Sequence, residues 1–287
     1  MFTISRILLY QGLLYRVSGV YLSNLNLSEL GPVVISNQAK YLKHDISMLE
    51  RFMEDDKFGI YQKDSNANFN ENFVIQLTKN YRSHPDILKI PNELFYRNTL
   101  EPCASPEIYN EIYNLKMLLK PGFPMIFHSV HAKKHFYPKS STSLANFEEV
   151  KIVMKYVTGL KKILPMKDVG IISPYKSQGN EIRRRNLDRR QSDVEVGSVE
   201  KFQGNEKKVI IISTVKSNGS TKSLGEFVGD DKRFNVAITR AKCLLIIVGD
   251  DRLLNKDKNW GPLIQFIRNN GGYKENLDEG YVSNNNN

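Results

Sequence analysis

Cysteine is scarce in this chain: Cys103 and Cys243 are the two in 287 residues, far apart and without Cys-x-x-Cys spacing. That pattern excludes a zinc ribbon and a disulfide framework and fits a reducing, cytoplasmic compartment. Apolar runs of membrane-spanning length are missing too. The first 24 residues, MFTISRILLYQGLLYRVSGVYLSN, form the one apolar stretch near a terminus, and Gln11, Gly12 and Arg16 interrupt it. Such a stretch serves poorly as an export signal or a membrane span, so no membrane partner is expected. An amphipathic helix, or a non-standard start to the gene product, is the plainer reading. Negative charge is the minority sign, with 31 Asp and Glu against 41 Lys and Arg, a net +10 and a pI near 9.4. An excess of that size favours a polyanionic partner, nucleic acid first. A hydrophobic share of 40% and a charged share of 25% suit one sizeable core with extensions.

Residues 61–72, YQKDSNANFNEN, read as a polar loop, and the SNNNN tail reads as disordered. Apolar, β-branched runs at 73–77, 124–129, 169–173, 194–199, 208–215 and 243–248 predict strands. VIIIST and CLLIIVG are nearly continuous in apolar character, as strands buried on both faces of a parallel sheet require. Val150, Val153, Met154, Val157 and Leu160 recur at helical spacing, which predicts an amphipathic helix over 146–163 with Asn146 as N-cap. A second helix is predicted over 175–190, carrying Arg183, Arg184, Arg185, Arg189 and Arg190. Alternating strands and helices imply an α/β, doubly wound parallel sheet with helices on both faces. Ligands of such sheets bind beyond the carboxyl ends of the strands, where the motifs are expected to fall.

Three strings carry the chemical signal: LTKNYRSHP at 77–85, VGSVEKFQGNEKKVIIIST at 196–214 and KRFNVAITRAK at 232–242. In this order and spacing they resemble the C-terminal half of superfamily 1 helicases of the nonsense-mediated-decay type. Within that group they are similar to the Armitage branch, also called the Moloney-leukaemia-virus-ten family, which acts in RNA silencing. GFPMIFHSV, VGIISPYKSQ and YRSHPDILKIPNELFY extend the resemblance. It implies a RecA-like second motor domain over 27–272, preceded by a divergent segment, 1–26, and followed by a disordered tail, 273–287.

The resemblance also implies roles. In the transition state of phosphoryl transfer, negative charge spreads over oxygens that a guanidinium fork neutralises without losing its proton. Arg240 and Arg82 match the family's arginines that reach the γ-phosphate, Arg240 as the arginine finger. Tyr81 matches an aromatic that stacks on adenine, and Gln203, Gly204 and Glu206 match a segment beside the nucleotide. Tyr81 also reads as a core aromatic, and Glu206 as the partner of a surface lysine. Ser173, Tyr175 and Gln178, with Ser198, match segments that contact single-stranded RNA, although Ser173 and Pro174 equally suit the cap of the following helix. His128, His131 and His135 lack an intervening Cys or carboxylate, and no protein-held metal is assigned to them. ATP would bring Mg²⁺, held mainly by a partner domain.

No Gly-x-x-x-x-Gly-Lys-Ser/Thr loop occurs in the sequence, and no Asp-Glu-Ala-Gly-like strand. NLSELGPVV at 26–34 resembles the end of a Gly-Asp-x-x-Gln-Leu-Gly-Pro element, but Leu25, Asn26 and Glu29 stand where Gly, Asp and Gln belong. The expectation is a piece of a longer RNA-silencing helicase, from which the N-terminal motor domain is absent, or a truncated paralogue. RNA-silencing proteins would be further partners, in the cytoplasm and its ribonucleoprotein granules. A catalytically inactive RNA-binding or protein-interaction module and a DNA helicase domain are the alternatives.

Overall fold

A computed structural model describes residues 14–17, 20–23, 31, 34, 36–46, 78–113, 115–131, 143–188, 193–217 and 228–275. Near the start, β1 (Leu14–Val17) and β2 (Val20–Ser23) pair antiparallel. The amphipathic helix expected there is not what these residues form; Tyr15, Val17, Val20 and Tyr21 are residues that favour extended backbone. The short helix α1 (Asn37–Tyr41) follows, capped by Ser36. The expected loop at 61–72 and strand at 73–77 lie outside the described residues.

The body runs β3 (Lys79–Asn80), α2 (Pro85–Phe95), β4 (Glu101–Pro102), α3 (Asn110–Tyr113), β5 (Met125–Ser129), α4 (Phe147–Leu160), β6 (Val169–Ile172), α5 (Lys176–Asp188), β7 (Glu195–Gly197), α6 (Val199–Phe202), β8 (Lys207–Ser213), α7 (Asp231–Ile238), β9 (Ala241–Gly249), α8 (Asp251–Leu254), α9 (Trp260–Asn269) and β10 (Tyr273–Glu275). Six strands form one sheet in the order β10-β5-β9-β8-β6-β7, and every pairing in it is parallel. The doubly wound sheet is thus as the sequence predicts, and it extends through β10, three residues past the boundary expected for the ordered body.

Alternation along the central strands builds two cores. Ile210, Ile212, Leu245 and Ile247 face α2, α7 and α9, whose Ile87, Phe234, Trp260 and Ile264 join them. Val209, Ile211, Leu244 and Ile246 face α4 and α5, packing with Val150, Val153, Val157 and Ile182. Among the described residues no helix is long and apolar enough to cross a membrane.

Three predicted strands have ends moved by local chemistry. β7 stops at Gly197 because Ser198 is the N-cap of α6. β8 stops at Ser213 because Val215 turns the chain at φ +72°. β9 starts at Ala241, two residues before its predicted start, immediately after Arg240.

α4 begins as predicted, with the Asn146 side chain accepting from the Glu149 N–H. Glu149 itself is fully buried. Its Oε2 accepts from the Ser213 hydroxyl at 2.6 Å and the Val215 N–H at 2.9 Å, and its Oε1 from Asn146 Nδ2 at 3.2 Å. Burial pushes its carboxyl up from 4.5 to about 8; the nearby Asp250 charge adds to this, while the donors from Ser213, Val215 and Thr214 oppose it. The folded chain therefore keeps a proton that the unfolded chain releases. That contribution to stability is whole below about 4.5 and declines as pH climbs through about 8. Denaturant midpoints measured across this window are expected to fall as pH rises, and Glu149→Gln, which cannot titrate, is expected to flatten the slope. A wild-type midpoint that holds level or rises would contradict this.

Candidate functional site

The arginines come together at the amino ends of β8 and β9. Asn80 Oδ1 accepts from the N–H groups of Arg82 at 2.9 Å and Ser83 at 3.0 Å, which folds the chain after β3 into a tight turn. That turn is laid on the start of β9: the Ser83 hydroxyl donates to the Ala241 carbonyl at 2.9 Å and the His84 N–H to the Lys242 carbonyl at 2.9 Å. Arg82 then reaches two groups, donating from Nη1 to the Thr239 carbonyl at 3.4 Å and pairing through Nε with Glu206.

Glu206 precedes β8, and its second oxygen meets Lys242 Nζ at 2.6 Å. Burial works to raise the Glu206 carboxyl, but the Lys242 ammonium and Arg82 guanidinium outweigh it and hold it below the usual carboxylate range. Arg240 leaves the last turn of α7 and is 4% exposed. Its Nε donates to the Val236 carbonyl at 3.0 Å and its Nη2 to Thr239 Oγ1 at 3.2 Å, so the guanidinium is turned onto its own helix. The expectation that the motifs gather on carboxyl ends is corrected for this group. Residues that directly precede a strand sit at its amino end, as Glu206 does for β8 and Arg240 for β9.

Tyr81 is 61% exposed, which removes its reading as a core aromatic. Gln203 and Gly204 lie exposed in the turn between α6 and β8, where Gly204 takes φ +81° with open space around it. That left-handed geometry is what requires glycine there. Beside the cluster is a cavity of about 510 Å³ lined by Lys167, Lys207, Lys208, Lys242, Asp168 and Glu206 among others. Lys242, Thr239 and Asn80 were not singled out in the sequence; their adjacency to Arg240, Arg82 and a strand start is the signal that finds them.

The opposite end of the sheet holds the second group. Ser173 follows β6, donates its N–H to the Gly197 carbonyl at 2.9 Å and is 4% exposed, with no hydrogen-bond partner for its hydroxyl. Ser198 caps α6 without a side-chain hydrogen bond to the cap, and Tyr175 is half-buried. Gln178, expected at a nucleic-acid surface, is fully buried. Its Oε1 accepts from the Asn146 N–H at 2.8 Å and its Nε2 donates to Ser213 Oγ at 2.9 Å, so it struts the sheet from within.

Of the arginine-rich helix, Arg183 donates to the Val196 carbonyl at 2.9 Å, while Arg184 and Arg185 each pair with Glu181 at 2.8 Å. Arg189 and Arg190 lie outside the described residues, as does His135. His128 meets the Tyr156 hydroxyl at 3.0 Å. His131 joins Asp251, at 2.8 Å, with Asp250 alongside. Those carboxylates already meet Arg252 at 2.7 Å and Arg268 at 3.2 Å. The acids come from more than a hundred residues away, which no local spacing could reveal.

Comparison with known proteins adds a family. A family model described as an AAA domain matches residues 44–252. The helicase mov-10-B.1 of Danio rerio is 38% identical over 266 residues, covering 85% of this chain and 26% of that protein. The human RNA helicase Mov10l1 is 39% identical over 277 residues, 91% of this chain and 22% of its own length. The human helicase senataxin is 30% identical over 260 residues, covering 88% of this chain and 9% of that protein. The chain thus spans about a quarter of the length of the first two.

Glu206 is the anion between two cations, and its removal leaves like charges facing each other. Glu206→Ala is expected to cost about 1–2 kcal/mol, read as a fall of a few degrees in calorimetric Tm. Adding Arg82→Ala to that variant is expected to cost less than Arg82→Ala does in the wild type; strict additivity would remove the claim that the two are coupled.

Proposed function

Since the chain belongs to the AAA-domain family, in its superfamily 1 helicase group of Moloney-leukaemia-virus-ten type, we propose that it is the second motor domain of an ATP-dependent RNA helicase. The observation that carries this reading is the division of the sheet into two polar ends. Arg82, Arg240 and Lys242 crowd the amino ends of β8 and β9, while Ser173 and Ser198 lie at the carboxyl ends of β6 and β7. One end suits a phosphoanhydride, the other a sugar-phosphate backbone.

The donor set of the first end fits the terminal phosphate of ATP. Glu206 already presents two anionic oxygens to Arg82 and Lys242, an arrangement a phosphate can match with two of its own. In this reading Arg82 exchanges Glu206 for phosphate, and Arg240 exchanges the Val236 carbonyl for it. Both guanidinium groups then neutralise charge that grows in the transition state, Arg240 as the arginine finger. Glu206 does not fit a Mg²⁺ ligand, being engaged by two cations. We therefore assign Mg²⁺ and the phosphate-cradling loop to a partner motor domain, because the sequence holds no Gly-x-x-x-x-Gly-Lys-Ser/Thr string. In the same reading Tyr81, exposed beside Arg82, stacks on the base, with Gln203, Gly204 and Glu206 beside the nucleotide.

At the second end Ser173, Tyr175 and Ser198 contact single-stranded RNA, with Gln178 acting from behind them. An RNA-silencing role in the cytoplasm and its ribonucleoprotein granules, with proteins of that process as partners, completes the proposal. The absent phosphate loop keeps one other reading in view, an RNA-binding module without turnover.

The test measures ATP hydrolysis by the chain alone and by the chain joined to a relative's first motor domain, with and without single-stranded RNA. The chain alone is expected to turn over no ATP. In the joined protein Arg240→Ala is expected to lower kcat by on the order of 10³-fold while the RNA Kd holds. Unchanged turnover in that variant overturns the arginine finger, and turnover absent from the joined wild type favours the non-catalytic module. Tighter binding of DNA than of RNA of equal sequence would replace RNA as the strand.

A further inference from the structure

The chain leaves β8 through a turn that its sequence gives no reason to expect. Val215 stands at φ +72°, and the Lys216 N–H donates to the Thr214 carbonyl at 2.9 Å. That is a γ-turn of the positive-φ kind, rare and strained, and a β-branched residue is among the least suited to it. Strain of this sort persists only where the surroundings over-determine it.

Here they do. The Val215 N–H donates to Glu149 Oε2 at 2.9 Å, and its carbonyl accepts from Asn146 Nδ2 at 3.1 Å. The Val215 side chain is fully buried. Glu149 occupies the third position after the N-cap of α4, where a glutamate ordinarily reaches back to the N-cap N–H. In this protein Gln178 takes that N–H, and Glu149 is released to hold the turn. A buried carboxyl and a strained residue are both expensive, and the fold brings them together at one point.

The turn exports a single side chain. Thr214, Val215 and Ser217 are buried, whereas Lys216 between them is partly exposed. Burial draws its ammonium below the ordinary lysine value, so a phosphate arriving there gains more than it would from a fully hydrated lysine. β6 lies next to β8, with Ile172 paired to Ile212, so Ser173 follows β6 close to this turn. Its buried hydroxyl has no partner. A cation and an orphan hydroxyl at one end of the sheet suit a phosphodiester.

We infer that Lys216 is a phosphate-contacting residue for single-stranded RNA, displayed by the strained turn at Val215, and that Glu149 is the positioning residue holding that turn. The inference rests on the RNA-binding part of the proposed function. It adds a contact and its support to the serines and tyrosine named there.

The test is fluorescence anisotropy of a labelled single-stranded oligouridylate with the 287-residue chain across a salt series. Lys216→Ala is expected to weaken binding about 3- to 10-fold at low salt and to make the log–log salt slope shallower by about 0.7, the loss of one phosphate contact. Lys216→Arg is expected to restore the slope. Lys151→Ala, on the outer face of α4, removes the same charge elsewhere and is expected to leave the slope alone. Val215→Gly keeps the left-handed turn without strain and is expected to bind as wild type, whereas Glu149→Ala is expected to lose the same slope increment as Lys216→Ala.

Wild-type binding with an unchanged slope in Lys216→Ala overturns the contact and leaves the RNA reading standing. An unchanged slope in a folded Glu149→Ala overturns the positioning role. No binding by the wild type at low salt overturns the RNA reading itself.

Discussion

A parallel sheet covered on both faces leaves only its two ends for chemistry, and the two polar groups at the ends of this sheet follow from that constraint. Central strands as apolar as β8 and β9 cannot place a charged group on either face without burying it. Polar groups of the sheet are therefore concentrated in residues that enter or leave a strand. Glu206, Lys207, Arg240 and Lys242 enter; Ser173, Ser198 and Asp250 leave. The covering helices then decide which of these groups meet. α2 brings the Arg82 turn onto the start of β9, and the first turn of α4 brings Asn146 and Glu149 onto the end of β8.

The two ends solve burial differently. At the amino end cations outnumber the carboxylate they surround, and the ion pairs remain partly open to water, with Lys242 about a third exposed. Such pairs are worth little as stabilisers and are readily exchanged. At the carboxyl end the network around Glu149 is sealed and saturated. Ser213 Oγ donates to Glu149 and accepts from Gln178, and Gln178 closes the ring through Asn146. A fully satisfied network in low dielectric is rigid, and removing one member strands its neighbours. One end is arranged so that partners can change and the other so that they are kept, a division that the proposed motor role would use.

The sheet was legible in the sequence because its strands are long apolar runs that no exposed element tolerates. Its limits were less so. β10, three residues reading Tyr-Lys-Glu, carries no apolar period and exists because the edge of β5 offers it hydrogen bonds. The early end of β8 turns on Val215, a residue whose propensity argues for continuing the strand, so only the tertiary hold of Glu149 explains it. Arg82, Glu206 and Arg240 stood out as motif residues, but not the end of the sheet they occupy. Position relative to a strand start depends on the register of β9, and that strand begins two residues earlier than its apolar run. Gln178 was legible as a residue of consequence and not as a buried one. The same string IISPYKSQ fits a strut or a surface ligand, and only the depth of α5 against Ser213 separates them.

Glu206 lies between Arg82 and Lys242. A carboxylate held between a guanidinium and an ammonium already has the charge and fork geometry that a phosphate would bring. In its absence the basic cluster would repel itself; in its presence the cluster is kept assembled at little net gain, since desolvation offsets much of the attraction. A ligand of greater negative charge can therefore displace the carboxylate without first paying to gather the cations. Under the proposed function Glu206 would in this sense be an internal substitute for the phosphate, and its position one residue before β8 would tie the exchange directly to a central strand of the sheet.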